Sequence, residues 1–83
     1  MTSIRVLLFA GPREILGRKE LTLRLVEPQP TVEQAFCHLK RDHPSLAAWD
    51  GVLAFAVNGS YAAPGDFLAD GDELALIPPV SGG

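Results

Sequence analysis

The arrangement of apolar residues limits this chain to one main helix among several strands. Helical spacing occurs in one segment, where Val32, Ala35, Phe36 and Leu39 form a single stripe. Five other segments have strand-like composition or alternation, at residues 4–10, 20–25, 53–57, 60–61 and 73–77. With 83 residues, the chain is long enough for one domain. The sequence therefore predicts an α+β domain at 1–77, a sheet of about five strands with a single helix packed on one face.

Local signals predict where these elements end. Gly11-Pro12 ends the first strand, and Thr31 with Gln34 fits a capping box at the start of the helix. Because Pro44 disfavours a helical residue before it, the helix is expected to stop near Asp42. Asn58-Gly59 predicts a tight hairpin turn.

The first and last strands are apolar on both sides, although one helix covers only one face of a sheet. We assign four alternating residues to the core beneath the helix: Val6, Leu8, Leu74 and Leu76. The opposite set then has no element to cover it: Leu7, Phe9, Ala75 and Ile77. Contiguous exposed apolar surface usually binds a partner, so these residues are predicted to form a docking face. The alternative is that residues 44–51, with Trp49, fold over it.

Residues 78–83 are predicted to form an extended tail. Pro78-Pro79 ends the last strand because proline provides no N–H donor to a sheet, and it stiffens the chain that follows. Val80, Ser81, Gly82 and Gly83 extend it to a reach of at most ~20 Å, thin enough to enter a narrow channel. A carboxylate at Gly83 is a weak electrophile and needs activation, for example as an acyl-adenylate, by another protein.

Composition and charge argue against several classes of protein. The longest apolar runs are shorter than 18 residues and the N-terminus lacks a basic region, so we expect neither a membrane span nor a signal peptide, and a cytoplasmic protein. The net charge is −3, and no basic patch lies beside aromatic residues, which disfavours nucleic-acid binding. From Asp42 onward there are acids but no Lys or Arg. Either these acids contact a basic partner near the tail or they only solubilise loops.

The remaining chemically notable residues are interpreted as structural. Cys37 lies beside the helix stripe and is expected to be a small packing residue. His38 falls on the far side of the helix, and with Cys37 and His43 it does not form a convergent metal site. We therefore expect no bound metal or cofactor. Asp70-Gly71 is expected to form a turn.

Four stretches of the chain resemble the small subunits of molybdopterin synthase. They are Val6–Ala10 with Arg13-Glu14 and Gly17, then Thr31-Val32, then Ala56–Gly59, and finally Leu68–Leu74 running into Ile77–Gly83. The likeness spans nearly the whole chain, and its closing stretch is the most specific part.

The resemblance implies a ubiquitin-like β-grasp fold with a mixed sheet. It also implies a non-catalytic, sulfur-donating subunit of a sulfurtransferase. A ubiquitin-activating-type enzyme would use ATP to adenylate Gly83, and the adenylate would become a thiocarboxylate. The tail, from Pro78 through Ser81 to Gly83, would then enter the large synthase subunit. There the sulfur passes to cyclic pyranopterin monophosphate to form the dithiolene of molybdopterin, in a heterotetramer of two small and two large subunits.

Two other classes of function stay open at this stage. Relatives that end in Gly-Gly carry sulfur for thiamine synthesis or transfer-RNA thiolation, or modify proteins. Pro78–Ser81 favours the molybdopterin pathway over these. The third possibility is a ubiquitin-like interaction module whose tail is inert.

Overall fold

The computed structural model describes residues 1–79. Its elements, in chain order, are β1 (Thr2–Leu8), α1 (Ala10–Leu16), β2 (Glu20–Leu25), α2 (Val32–Asp42), a 3-10 helix (Pro44–Trp49), β3 (Ala54–Val57), β4 (Ser60–Ala62) and β5 (Glu73–Ile77). The strands form one mixed sheet in the order β2-β1-β5-β3-β4. β1 and β5 run parallel, and the other neighbouring pairs are antiparallel. The predicted α+β architecture is thus confirmed.

One face of the sheet packs on α2 to make the core. The four residues that we assigned to this core, Val6, Leu8, Leu74 and Leu76, are all at most 2% exposed, as predicted. The stripe of α2 is buried against them, and Leu46 of the 3-10 helix is added to the same cluster. Alternation in β2 places Leu21, Leu23 and Leu25 on this face and its polar residues on the other.

The ends of α2 follow from the sequence. Thr31 accepts a hydrogen bond from the backbone N–H of Gln34, and the Gln34 side chain accepts one from the N–H of Thr31, which completes the capping box. The helix ends at Asp42, before Pro44. Asn58 and Gly59 both have positive φ, 51° and 86°, as the tight β3–β4 hairpin requires.

The one main helix, α2, packs on one face of the sheet as predicted, but the chain also forms α1 and the 3-10 helix, which the sequence pattern did not predict. Pro12 belongs to the first turn of α1, where a backbone N–H has no helical acceptor and proline is tolerated. Gly17 ends α1 in the left-handed conformation, with its N–H donating to the carbonyl of Arg13 at 2.8 Å. Seven residues are too few to show helical periodicity, so Gly11-Pro12 indicated only the end of β1.

Candidate functional site

The tail leaves from the middle of the sheet, beside the end of β1. Leu8 of β1 lies opposite Leu76 of the parallel strand β5, so the two strands end at the same edge. β5 ends at Ile77 and is followed by the half-buried Pro78 and the exposed Pro79. The predicted tail residues Val80, Ser81, Gly82 and Gly83 lie outside the described residues. The last described residues thus project from a central strand at one end of the molecule.

A row of side chains crosses the sheet face that α2 does not cover. The strand register places Leu7 beside Ala75, Ala75 beside Ala56, and Ala56 beside Tyr61. Ile77, opposite Ala54, begins the next row toward the end where the tail emerges. Leu7, Ala75 and Ile77 are half-buried, whereas Tyr61 is 81% exposed. Small alanines in the centre therefore make a shallow apolar surface with larger side chains on both sides. We call these residues, together with Phe9, the docking face.

Phe9 lies just past the end of β1, where it is 46% exposed. It borders an open depression of about 610 Å³ whose other lining residues are Leu7, Leu8, Arg13, Lys19 and Glu20. The depression joins the docking face to the charged segment between α1 and β2. A partner that covers the docking face therefore also meets charged side chains at its rim.

Ion-paired residues lie on the same face of the sheet, at the side of the docking face that is farther from the tail. Arg5 pairs with Glu73, which lies opposite it on β5, and its Nε is 3.8 Å from a carboxylate oxygen of Glu20. Arg5 and Glu73 form the next row, on the side of the Leu7–Ala75 row away from Ile77, and Glu20 lies beside Leu7 at the end of the Leu7–Ala75 row. The uncovered face is thus apolar near the tail and polar at the far end. Its side chains suit binding rather than acid–base chemistry.

Five of the predicted partner-binding residues lie together at one end of the sheet: Leu7, Phe9, Ala75, Ile77 and Pro78. Sequence reasoning missed Tyr61 and Ala56. The Asn58-Gly59 turn determines that Ala56 pairs with Tyr61. It does not determine that β3 lies beside β5, because that depends on the topology of the whole sheet.

Residues 44–51 do not fold over the docking face. The 3-10 helix packs against α1 and α2. Its Trp49 contacts the core beneath α2 and lies against Gly11 of α1. The alternative stated above, in which Trp49 covers Leu7 and its neighbours, is therefore wrong.

Acids in the second half of the chain make internal contacts. Asp70 accepts a hydrogen bond from the backbone N–H of Ser3, and Asp66 accepts one from that of Ala63. Asp72 accepts from Ala69 N–H and from the side chain of Asn58. Asp70-Gly71 forms the expected turn, with Gly71 at φ 87°. The side chains of Asp66, Asp70 and Asp72 therefore stabilise turns, a structural role that the sequence analysis did not assign to them.

Cys37 and His38 lie away from the docking face, on α2. Cys37 is exposed, so its assignment as a packing residue was wrong: the stripe ends beside it. The Nε2 of His38 is 2.8 Å from a carboxylate oxygen of Glu27, and Arg41 donates to its Nδ1 at 2.7 Å. The hydrogen bond with His38 lowers the pKa of Glu27 below 4.5. Among residues 1–79, no three His, Cys, Asp or Glu side chains form a group that could hold a metal ion.

Comparison with known proteins identifies the family. The family model described as "ThiS family" matches residues 6–83. The chain belongs to the ThiS family. The "molybdopterin synthase sulfur carrier subunit" of Chlamydomonas reinhardtii is 42% identical over 82 residues, which cover 96% of this chain and 98% of the relative. The protein of the same name from Escherichia coli K12 is 40% identical, covering 96% and 99%.

A third ThiS-family relative has a solved structure. Small archaeal modifier protein 1 of Haloferax volcanii is 42% identical over 85 residues, covering 92% of this chain and 95% of the relative. A crystal structure of that protein superposes with a TM-score of 0.88 and 32% identity, covering 96% of this chain and all (100%) of the other. These likenesses confirm the ubiquitin-like β-grasp fold expected from the resemblance. No helix in the described part of this ThiS-family chain is long and apolar enough to cross a membrane.

Proposed function

We propose that this chain is the sulfur carrier subunit of a molybdopterin synthase and acts in the cytoplasm. The observation that carries the proposal is the position of the docking face. Leu7, Ala75 and Ile77 are apolar, uncovered and continuous with the start of the tail at Pro78. A partner that binds this face would therefore be placed to receive the tail. The relatives that carry the name of such a subunit match this chain over nearly their whole length.

The proposed chemistry takes place at the carboxylate of Gly83. A carboxylate oxygen attacks the α-phosphorus of ATP, which forms an acyl-adenylate and releases pyrophosphate. A sulfur nucleophile then attacks the acyl carbon, and AMP leaves to give a thiocarboxylate. The thiocarboxylate sulfur then displaces an oxygen substituent from a carbon of the pterin substrate, which forms a thioester. Hydrolysis of that thioester leaves the sulfur on the pterin and restores the carboxylate. Because one thiocarboxylate holds one sulfur atom, each dithiolene needs two carriers that are loaded with sulfur.

In this proposal the chain supplies docking and delivery, and its partners supply catalysis. An adenylating enzyme would bind ATP and activate Gly83, so this chain would need no cofactor of its own. The large synthase subunit would bind the docking face and enclose Gly82-Gly83. Both partners need the same tail, so they would bind in turn rather than together. Glycines at the end suit a narrow channel because they have no Cβ to collide with its walls.

The first experiment is intact-mass measurement after incubation with an adenylating enzyme, ATP and a sulfur source. Replacement of oxygen by sulfur adds nearly the mass of one oxygen atom, so oxidation at Met1 imitates it. A Cys37→Ser background and alkylation separate the two, because a thiocarboxylate is then the one nucleophilic sulfur that reacts readily. We expect one alkylated product from the full chain and none from a chain that lacks Gly82-Gly83. Failure of the full chain, with an enzyme active on another carrier, would overturn the proposal.

Protein modification is a second candidate. It is favoured by the 42% identity to small archaeal modifier protein 1 and by the TM-score of 0.88. The same acyl-adenylate at Gly83 would then be attacked by a lysine amine, directly or through a thioester. Mass spectrometry of affinity-purified protein decides this. Because the chain has no Lys or Arg after Arg41, a protease that cleaves after glutamate is used, and peptides with a lysine linked to residues 74–83 would establish conjugation. Recovery of only the free chain and its thiocarboxylate would support the carrier alone.

A further inference from the structure

One edge of the sheet, the outer side of β2, has free backbone groups. In an antiparallel pair, alternate residues direct their N–H and C=O toward the partner strand. The N–H of Leu8 donates to the carbonyl of Lys19 at 2.8 Å, and the register continues through Val6 and Leu21. The intervening residues of β2 therefore direct their backbone groups outward: Glu20, Thr22 and Arg24. Within residues 1–79, no hydrogen bond reaches these outward groups.

β2 lacks most of the usual protection of an edge strand. Proteins shield sheet edges with prolines, bulges, very short strands, covering elements or charged side chains, and of these β2 has the charged side chains of Glu20 and Arg24. β2 is six residues long, contains no proline and pairs with β1 in an unbroken register. The opposite edge is different, because β4 has three residues and is soon followed by Pro64. β2 is thus the edge that is suited to accept another strand.

The charges along this edge are complementary to themselves. Glu20 and Arg24 lie two residues on either side of Thr22, and all three are exposed on the same face. If a second copy paired antiparallel with Thr22 opposite its counterpart, each Glu20 would lie opposite the second copy's Arg24. Directly opposed side chains have Cβ atoms about 5 Å apart, close enough for an ion pair. Arg24 has no ion pair within residues 1–79, and Glu20 has a long one to Arg5 at 3.8 Å.

We propose that β2 pairs antiparallel with β2 of a second copy of this chain, in the register centred on Thr22. The two sheets would then join edge to edge. Other registers of the same edge are disfavoured, because centring on Glu20 or on Arg24 opposes like charges. The area buried by one strand pair is small, so the dimer is weak and reversible. The two-fold symmetry of this dimer places the ends of the two β5 strands at opposite ends of the joined sheet. Both docking faces therefore remain uncovered.

Disulfide trapping tests the register. In a Cys37→Ser background, Thr22→Cys places two sulfur-bearing residues opposite one another, with Cα atoms about 5.5 Å apart, within the range for a disulfide. Arg24→Cys is the matched control: on the same edge, its two copies would lie about 13 Å apart along the strand. In a glutathione redox buffer we expect Thr22→Cys to form covalent dimers at least about tenfold faster than Arg24→Cys. Equal rates would overturn the proposal.

Sedimentation of the unmodified chain over a range of concentrations tests the dimer itself. We expect reversible dimerisation, weakened roughly tenfold in Glu20→Arg and in Arg24→Glu, since each reversal turns two attractive pairs into repulsive ones. The double variant restores opposite charges and should recover the parental association. A chain that stays monomeric at every concentration, or a double variant as weak as the singles, would contradict the proposed interface.

Discussion

At the scale of single residues, the contact between Gly11 and Trp49 joins α1 to the rest of the domain. A Cβ built on Gly11 would overlap ring atoms Cζ2 and Cη2 of Trp49. The Nε1 of Trp49 is buried and has no hydrogen-bond partner in the described part of the chain, so packing holds the ring in place. α1 therefore depends on a residue without a side chain at this position.

Gly11→Ala should destabilise the domain although alanine is the better helix former. Overpacking costs typically ~1–3 kcal/mol, and helix propensity returns up to ~1 kcal/mol, so we expect a net loss of about 1 kcal/mol. Urea unfolding followed by Trp49 fluorescence measures it. Gly65→Ala is the control, because a Cβ there meets nothing within 4 Å. An unchanged stability for Gly11→Ala would show that the ring moves aside freely.

The Glu27–His38 contact should make part of the stability depend on pH. The hydrogen bond from His38 lowers the pKa of Glu27 below 4.5 in the folded chain. A carboxyl group with a lowered pKa stabilises the fold above its unfolded pKa, and this stabilisation is lost as the pH falls through the folded value. The parent should therefore exceed Glu27→Gln in stability near neutral pH, with the difference shrinking in acid. Glu14→Gln, which removes a carboxylate at an exposed position on α1, is the matched control. A difference between parent and Glu27→Gln that is constant with pH would contradict this assignment.

At the scale of elements, the sequence predicted strands and helix caps better than it predicted which elements lie beside one another in the fold. α2 and its capping box, β5 and the Asn58-Gly59 turn depend on interactions within a few residues, which the sequence shows directly. α1 was missed because its roughly two turns are stabilised by contact with Trp49, which is distant in sequence. The same limit explains Tyr61, whose place on the docking face depends on β3 lying beside β5. Local signals thus set the elements, and tertiary contacts set the composition of the face.

The docking face should lose its partner when a charge is introduced at Phe9. Burying an unpaired carboxylate in an apolar interface is costly, so Phe9→Asp should weaken binding to the large synthase subunit by roughly 100-fold. Phe67→Asp is the matched control. Phe67 is exposed to a greater extent, 67% against 46%, but bridges to Thr31 at the start of α2, away from β1 and β5.

Calorimetric titration of both variants with the large subunit measures the difference. Their melting temperatures should stay close to that of the parent, because both rings are already largely in solvent. Equal losses for Phe9→Asp and Phe67→Asp would show that the partner binds elsewhere.

At the scale of the whole molecule, folding and the proposed chemistry occupy separate parts of the chain. The core ends with Leu76 on β5, and the exposed Pro79 follows within three residues. The proposed reactive group, at Gly83, thus lies six residues beyond the end of β5 in the sequence. Recognition, by contrast, depends on Leu7, Ala75 and Ile77, which the sheet itself holds in place. This division allows two partners to recognise one rigid surface and act on one short segment.

Removal of Gly82-Gly83 should therefore separate three properties that most truncations change together. The melting temperature should be unchanged, because the core and the elements that the structure describes are built from residues up to Ile77. Binding to the large subunit should persist but weaken, since the docking face remains and only the tail contacts are lost. Sulfur loading should be abolished, because the Gly83 carboxylate is absent and the new terminal carboxylate, on Ser81, is two residues short of its position. Calorimetry, titration and intact-mass measurement on one preparation compare all three. If the truncated chain binds the large subunit as tightly as the parent does, the partner does not contact Gly82-Gly83. If the truncated chain no longer binds, recognition depends on the tail rather than on the sheet.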